Sequence, residues 1–328
     1  MKRETSGKII GIVFASAVLA AGAFFAFPKK AQPVVKDVYA LDTFCTITIY
    51  GGTGDPEAAA QKGTEELKRL DALMDAEKED SDLWRINHRT EDTVRISAET
   101  AEMLSGAKQI SQLSGGTLWP AIRPLTELWD FKNAKTIPDD DRILAARTES
   151  QSGQWDIENG CFVSFVPETK IEAGAFAKGY IADRIREVLL KEGVTSAIID
   201  LGGNIHTIGK NADGRPFRIG IRDPEGSDTP VELIEAENIS VVTAGTYERF
   251  IEQDGVRYHH ILDPETGYPA RTGLSSVTVC GPSSFVCDAL ATAFLVAGKE
   301  KAEKILETYN KENLTSYQAY FLESGDTD

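Results

Sequence analysis

The chain opens with its longest apolar run: Ile9 to Phe27 carries no charged residue, and Lys2, Arg3 and Lys8 precede it. That length is close to the roughly 20 residues a helix needs to cross a hydrocarbon layer, so residues 1–27 read as a signal anchor or a signal peptide. The alanines at Ala21 and Ala23 would suit a signal peptidase, but the run is long for a cleaved segment, which favours a retained membrane anchor. The expectation is a cell-membrane protein whose catalytic part lies outside the cytoplasm. Residues 28–36 read as a linker and residues 37–328 as one folded domain.

Beyond that point the pattern alternates between two periods. Leu41 to Tyr50 has apolar and threonine positions in alternation, which predicts a strand. Asp55-Pro56-Glu57 supplies an N-cap, a first-turn proline and a first-turn acid for a helix carrying Leu67, Leu70, Leu73 and Met74. A second helix is predicted from Ser97 to Gly115-Gly116, and a third from Pro138. Between them TLWPAIRPLTELWDF reads as a loop with Trp119, Trp129 and Phe131, aromatics that either stack on a ring system or pack in a core. Asn159-Gly160 and Asp254-Gly255 mark hairpins. Phe217 to Ile221, Ile239 to Thr243, Leu274 to Cys280 and Tyr317 to Leu322 read as strands, while Ser283 to Val296 and Lys301 to Tyr309 read as helices. Many antiparallel signals with helices between them predict an α+β fold of mostly antiparallel sheets, preceded by the N-terminal transmembrane or signal helix.

Candidate chemistry concentrates in Lys170 to Asn204. An extended run ends at Glu172, small residues (Gly174, Ala175, Ala177, Gly179) surround Lys178, and Ile181, Ile185, Val188 and Leu189 follow at helical spacing. A buried strand, Ser196 to Leu201, then ends in Gly202-Gly203. Small residues at a strand-to-helix junction let backbone N–H groups approach an anion, and Lys178 there points to phosphate. The order of residues excludes a Walker loop, and no GxGxxG occurs. The same glycines and alanines would also serve close helix packing with Lys178 reaching water.

Two further constellations stand out. In SSFVCDALATAFLVAG, Asp288 and Thr292 are four residues apart and share a helix face, giving hard oxygen ligands suited to Mg²⁺, or else a surface acid and a back-bonding threonine. In VRYHHILDPETGYP, strand alternation turns His259 and His260 to opposite sides, so one of them at most enters a given site. Charge and cysteines narrow the partners. With 35 basic against 51 acidic residues and a net charge of -16, the chain repels nucleic acid and anionic membrane surfaces. Cys45, Cys161, Cys280 and Cys287 form no CxxC pair and no zinc-like spacing, and each reads as a small core residue.

Taken together, GAFAKGYIAD, IIDLGGNI, TAGTYERF, HHILDPETGYP and CDALATAFLVAG resemble, in their order, the motifs of the ApbE family, the FAD:protein FMN transferases. The resemblance runs over nearly the whole chain after the linker. It implies a divalent cation, Mg²⁺ with Mn²⁺ as the variant, held by the Ala175 carbonyl, Asp288 and Thr292. It implies FAD as substrate, contacted by Leu41, Trp129, Asp130, Phe131, Glu172, Lys178 and Ile261. It further implies transfer of FMN to a Thr or Ser hydroxyl of an acceptor flavoprotein of membrane or extracellular electron transfer, with release of AMP. Lys178 would neutralise pyrophosphate charge and His260 would activate the hydroxyl. The runner-up activity is an FAD pyrophosphatase giving FMN and AMP, and a non-catalytic exported flavin-binding protein is the alternative of another class. The chain departs from the family's usual pattern at Glu172, where Asp is usual, at Ala244, where Ser is frequent, and near Glu77, where an aromatic is frequent.

Overall fold

A computed structural model describes residues 32–227 and 229–324. The run Ile9 to Phe27 lies outside them, and among the described residues no helix is long and apolar enough to cross a membrane. In chain order the elements are β1 (Val34–Ala40), β2 (Thr43–Gly52), α1 (Pro56–Met74), α2 (Asp82–Asn87), β3 (Thr93–Arg95), α3 (Ala98–Leu113), α4 (Arg123–Trp129) and α5 (Asp140–Ser152). Then come β4 (Asp156–Glu158), β5 (Cys161–Val163), α6 (Ala177–Lys191), β6 (Val194–Leu201), β7 (Asn204–Ile208), β8 (Phe217–Ile221), β9 (Glu232–Ala236) and β10 (Ser240–Gly245). The last are β11 (Phe250–Gln253), β12 (Val256–His259), β13 (Leu274–Gly281), α7 (Ser284–Ala297), α8 (Lys299–Asn313) and β14 (Gln318–Glu323).

A seven-stranded sheet in the order β1-β2-β6-β7-β10-β13-β14 forms the centre. Every neighbouring pair in it is antiparallel. Strand periodicity decides which side chains reach the main core: Cys45, Ile47 and Ile49 of β2, Ala197, Ile199 and Leu201 of β6, and Val277 and Val279 of β13 point to the face covered by α1, α6 and α7. The alternate positions Val241 and Cys280 meet Ile221, Ile234 and Ala236 of the β8-β9 ribbon in a small separate cluster. A third cluster joins Leu125 and Trp129 of α4, Ile143 and Ala146 of α5, Ile251 of β11 and Leu262. It fixes α4 to the hairpin that carries the two histidines.

The α+β architecture matches the sequence expectation, and the differences have local causes. Val34 to Lys36, read as linker, are strand and pair with Ile49 to Ile47. The TLWPAIRPLTELWDF segment holds α4, a short helix with proline in its first turn and Asp130 in the left-handed region at its C-cap. Its prolines and aromatics concealed it. The short α2, whose cap Ser81 accepts the Trp84 N–H, and the strands β3, β7 and β9 were also not evident. Gly202-Gly203 makes the β6-β7 hairpin, with φ of 66 and 92, and does not border a ligand loop entering a helix.

The edge position of β1 gives a stability prediction. A chain beginning at Gln32 keeps the whole strand, whereas one beginning at Asp37 loses the Val34 to Lys36 pairing. Urea denaturation should show the shorter chain less stable by about 1–3 kcal/mol, on the scale of a few net hydrogen bonds. Equal stability would mean that these residues add nothing to the sheet.

Candidate functional site

The site is built where the first turn of α6 meets α7. Gly179 is the third residue of α6, where the N–H has no acceptor within the helix, and it donates to Asp288 Oδ2 at 2.9 Å. Glycine is required for this approach, because a Cβ at Gly179 would lie 2.3 Å from the Ser284 carbonyl oxygen and 2.8 Å from Asp288 Cβ. The Ala175 carbonyl, just before α6, has no donor among the described residues. Lys178, in the same turn, forms no ion pair with any described residue, yet it lies close enough to bias Asp288, His260 and Cys45 electrostatically.

Asp288 is 7% exposed, so it is not a surface acid. Burial pushes its carboxyl up to about 6, opposed by Lys178 and the Gly179 N–H. The Thr292 hydroxyl, one turn on in α7, forms no hydrogen bond with any described residue. No group of three or more His, Cys, Asp or Glu side chains is placed to hold a metal among the described residues. What α7 and the turn before α6 supply instead is one carboxylate, one hydroxyl and one carbonyl, an all-oxygen set whose buried anion has no cationic neighbour within ion-pair distance among the described residues. Such a set fits a hard cation such as Mg²⁺ or Mn²⁺.

The two histidines have different settings. His259 is buried: its Nε2 is 2.9 Å from the Ala270 carbonyl oxygen, and its Nδ1 accepts the Ile261 N–H at 3.3 Å. Both nitrogens are committed, and the imidazole clamps the Ile261 to Ala270 turn. His260, just past the end of β12, has Nδ1 3.3 Å from the Arg249 carbonyl oxygen. A carbonyl can only accept, so Nδ1 carries the proton and Nε2 keeps a lone pair. Burial pushes His260 down to about 4, with Lys178 adding to the shift, so the ring is neutral at physiological pH.

The other sequence-predicted positions frame this centre. Glu172 is held on three sides: Oε2 accepts from Arg123 Nη1 at 3.0 Å and Thr126 Oγ1 at 3.1 Å, and Oε1 accepts from the Gly174 N–H at 3.1 Å. Trp129 is fully buried, donates Nε1–H to the Gly267 carbonyl at 2.9 Å and stacks on Phe131 with centroids 5.3 Å apart. Its indole is a core element that braces the more accessible Phe131. Asp130 accepts from Asn133 Nδ2 at 2.9 Å. Ile261 is 6% exposed, with its N–H bonded to His259 and its carbonyl accepting from Ala270 N–H, so it is wall rather than a free polar contact. Leu41 sits at φ 55 in the β1-β2 turn, where its N–H donates to Asp71 Oδ1 at 3.3 Å. Lys132 Nζ bonds Asp42 at 3.0 Å and ties that turn to the segment after α4.

Arg123 was not evident from the sequence. Its side chain is 12% exposed and bonds Glu77, Glu127 and Glu172, joining the segment after α1, α4 and the turn before α6. Only Glu127, at i+4, was a local signal; the other partners are 46 and 49 residues away. Glu77 therefore stands in an ion pair at the place where an aromatic was expected.

Comparison with known proteins bears on the whole domain. Residues 41–317 match the model of the ApbE family. The chain is 35% identical over 292 residues to the FAD:protein FMN transferase of Treponema pallidum (strain Nichols), covering 82% of this chain and 80% of that protein. It is 37% identical over 251 residues to a FAD:protein FMN transferase of Klebsiella pneumoniae (strain 342), covering 75% and 77%. Among solved structures it is similar to the flavin transferase ApbE of Vibrio cholerae, with a TM-score of 0.78, 27% identity and coverage of 89% and 97%. The ApbE protein of Thermotoga maritima gives a TM-score of 0.77 at 32% identity, covering 88% and 94%. On sequence and fold together, the chain belongs to the ApbE family, whose matched relatives are transferases.

Proposed function

We propose that this chain transfers FMN from FAD to a Thr or Ser hydroxyl of an acceptor flavoprotein and releases AMP, with Mg²⁺ or Mn²⁺ held by Ala175, Asp288 and Thr292. The observation that carries the reading is the convergence of an unpaired Lys178, a buried Asp288 and a neutral His260 with a free Nε2. A cation bound to the three oxygens would neutralise charge on the pyrophosphate. Lys178 would add a second positive charge at the same diphosphate. His260 Nε2 would accept the proton of the acceptor hydroxyl as its oxygen forms the new P–O bond to the FMN phosphorus. The P–O bond to AMP breaks, and AMP leaves with the electron pair.

The acceptor hydroxyl would approach His260 on its Nε2 edge, since Nδ1 is turned to the Arg249 carbonyl and Nε2 is the nitrogen left to serve it. The apolar run Ile9 to Phe27 supports an exported, membrane-attached protein and acceptors of membrane or extracellular electron transfer. Incubation with FAD, Mg²⁺ and a Ser- or Thr-containing acceptor peptide should add the mass of FMN to the peptide. AMP and free FMN without peptide labelling would instead support the pyrophosphatase activity.

His260→Ala should bind FAD nearly as the unmodified protein does and transfer FMN about 10²–10⁴-fold more slowly. His259→Ala should act on the fold, lowering stability by about 1–3 kcal/mol because two buried hydrogen-bonding groups lose their partner. Fluorescence titration of FAD, peptide mass and thermal melting separate the two effects. Full transfer by His260→Ala would leave the hydroxyl without its base.

A second prediction follows from Asp288. Burial pushes its carboxyl up to about 6 in the folded protein, above the ordinary carboxylate range, so its contribution to stability is present below the unfolded value and lost as pH rises through about 6. In chelator at pH 8, Asp288→Asn should be more stable than the unmodified protein by about 1–3 kcal/mol, and the difference should vanish near pH 4. Mg²⁺ should raise the melting temperature of the unmodified protein at pH 8 and not that of Asp288→Asn. The same pH profile in both proteins would remove Asp288 as a buried, uncompensated anion.

A further inference from the structure

We propose that Asp183 is the positioning residue of the cation site: by anchoring the N-terminus of α7 to α6, it sets where Asp288 and Thr292 stand against the turn holding Ala175. The inference rests on the cation reading of those three oxygens. Asp183 lies four residues after Gly179 on α6, on the same helix face. Its carboxylate accepts from Ser283 Oγ at 2.6 Å, from the Ser284 N–H at 2.8 Å and from the Phe285 N–H at 3.1 Å. Ser283 is the N-cap of α7, and its Oγ in turn accepts the Val286 N–H at 3.3 Å. The free donors of α7 are thus met chiefly by a carboxylate from another helix, which α7's positive end also favours.

The two contacts between the helices are reciprocal. At Gly179 a backbone N–H of α6 binds a carboxylate of α7; at Asp183 a carboxylate of α6 binds backbone N–H groups of α7. Ser284 belongs to both, since its N–H meets Asp183 and its carbonyl is the atom that bars a side chain at Gly179. Asp288 follows Ser284 by one turn, so a small shift of the α7 N-terminus moves the carboxylate relative to the Gly179 N–H. Asp183 has no role in the transfer chemistry itself. His206 Nδ1 lies 3.6 Å from Asp183 Oδ1, but burial pushes that imidazole down to about 3, and it bonds Ser240 Oγ at 2.6 Å. Asp183 is therefore met by α7 and not by a histidinium.

The test reads cation binding directly, by the free-Mn²⁺ electron paramagnetic resonance signal, with no turnover involved. D183N places one acceptor and one NH₂ group where two acceptor oxygens stood, and it should raise the Mn²⁺ Kd by about 10–100-fold, the range for partners that orient metal ligands. Helix content and FAD affinity in chelator should stay within about twofold, as ordinary scatter for a change that spares the substrate groups. S283A keeps both backbone bonds to Asp183 and should raise the Kd by about two- to fivefold, the scale of one hydrogen bond. A D183N Kd within about twofold of the unmodified protein overturns the inference. If D183N does not fold, an unchanged Kd in S283A overturns it. D288A is the control for the underlying reading: unchanged Mn²⁺ binding in D288A refutes the cation site itself, whatever D183N does.

Discussion

The contact between α6 and α7 at Gly179 is the constraint on which the site depends. Two helices can approach until their backbones touch only where one of them lacks a Cβ, and here a methyl group would lie 2.3 Å from a carbonyl oxygen. The closeness does more than pack. It gives the Gly179 N–H, which in the first turn of α6 has no acceptor within the helix, a partner in Asp288 Oδ2. Lys178 of the same turn forms no ion pair among the described residues and biases Asp288 electrostatically. The small residues around Lys178 thus serve close packing first, with Gly179 the position where a side chain cannot be accommodated.

Burial then sets the protonation states. It raises Asp288 and lowers His260, and in each case it acts against the charged form. The two groups nevertheless end in different states at neutral pH: a carboxylate held as an anion above its shifted value, and an imidazole held neutral far above its own. Both groups are coupled to Lys178, which lowers the carboxyl of Asp288 and the imidazole of His260 alike. His259, one residue away, shows how much depends on hydrogen bonds rather than on residue type, because both of its nitrogens are spent on the turn that follows.

The long periodic elements were legible in the sequence. α1, α3, α6, α7 and the hairpins at Asn159-Gly160 and Asp254-Gly255 carry caps, helical spacing or turn dipeptides that act over a few residues. β1 and α4 were not, for a physical reason: β1 is an edge strand whose outward residues are exposed, and α4 is a single short turn-pair held by tertiary contacts with α5 and β11. The same division holds for the site. The spacing of Asp288 and Thr292 is local and visible, while the commitment of Trp129 to a core, the bond from Gly179 to Asp288 and the Arg123 ion pairs arise from residues far apart in the chain.

Arg123 also gives the site a direction. At one end it gathers Glu77, Glu127 and Glu172, with Lys170 bonding Glu127 at 2.8 Å, so three carboxylates face two cations. At the other end Lys178 forms no ion pair among the described residues, in a chain whose net charge is -16, and acts on the buried Asp288 only at longer range. The turn from Glu172 to Lys178 spans both ends, and its rigidity comes from opposite directions: Glu172 is fixed by Arg123 and Thr126 on α4, and Gly179 by Asp288 on α7. The polarity of the site and the geometry of its oxygens are thus consequences of the same short stretch of backbone being tied down at each of its ends.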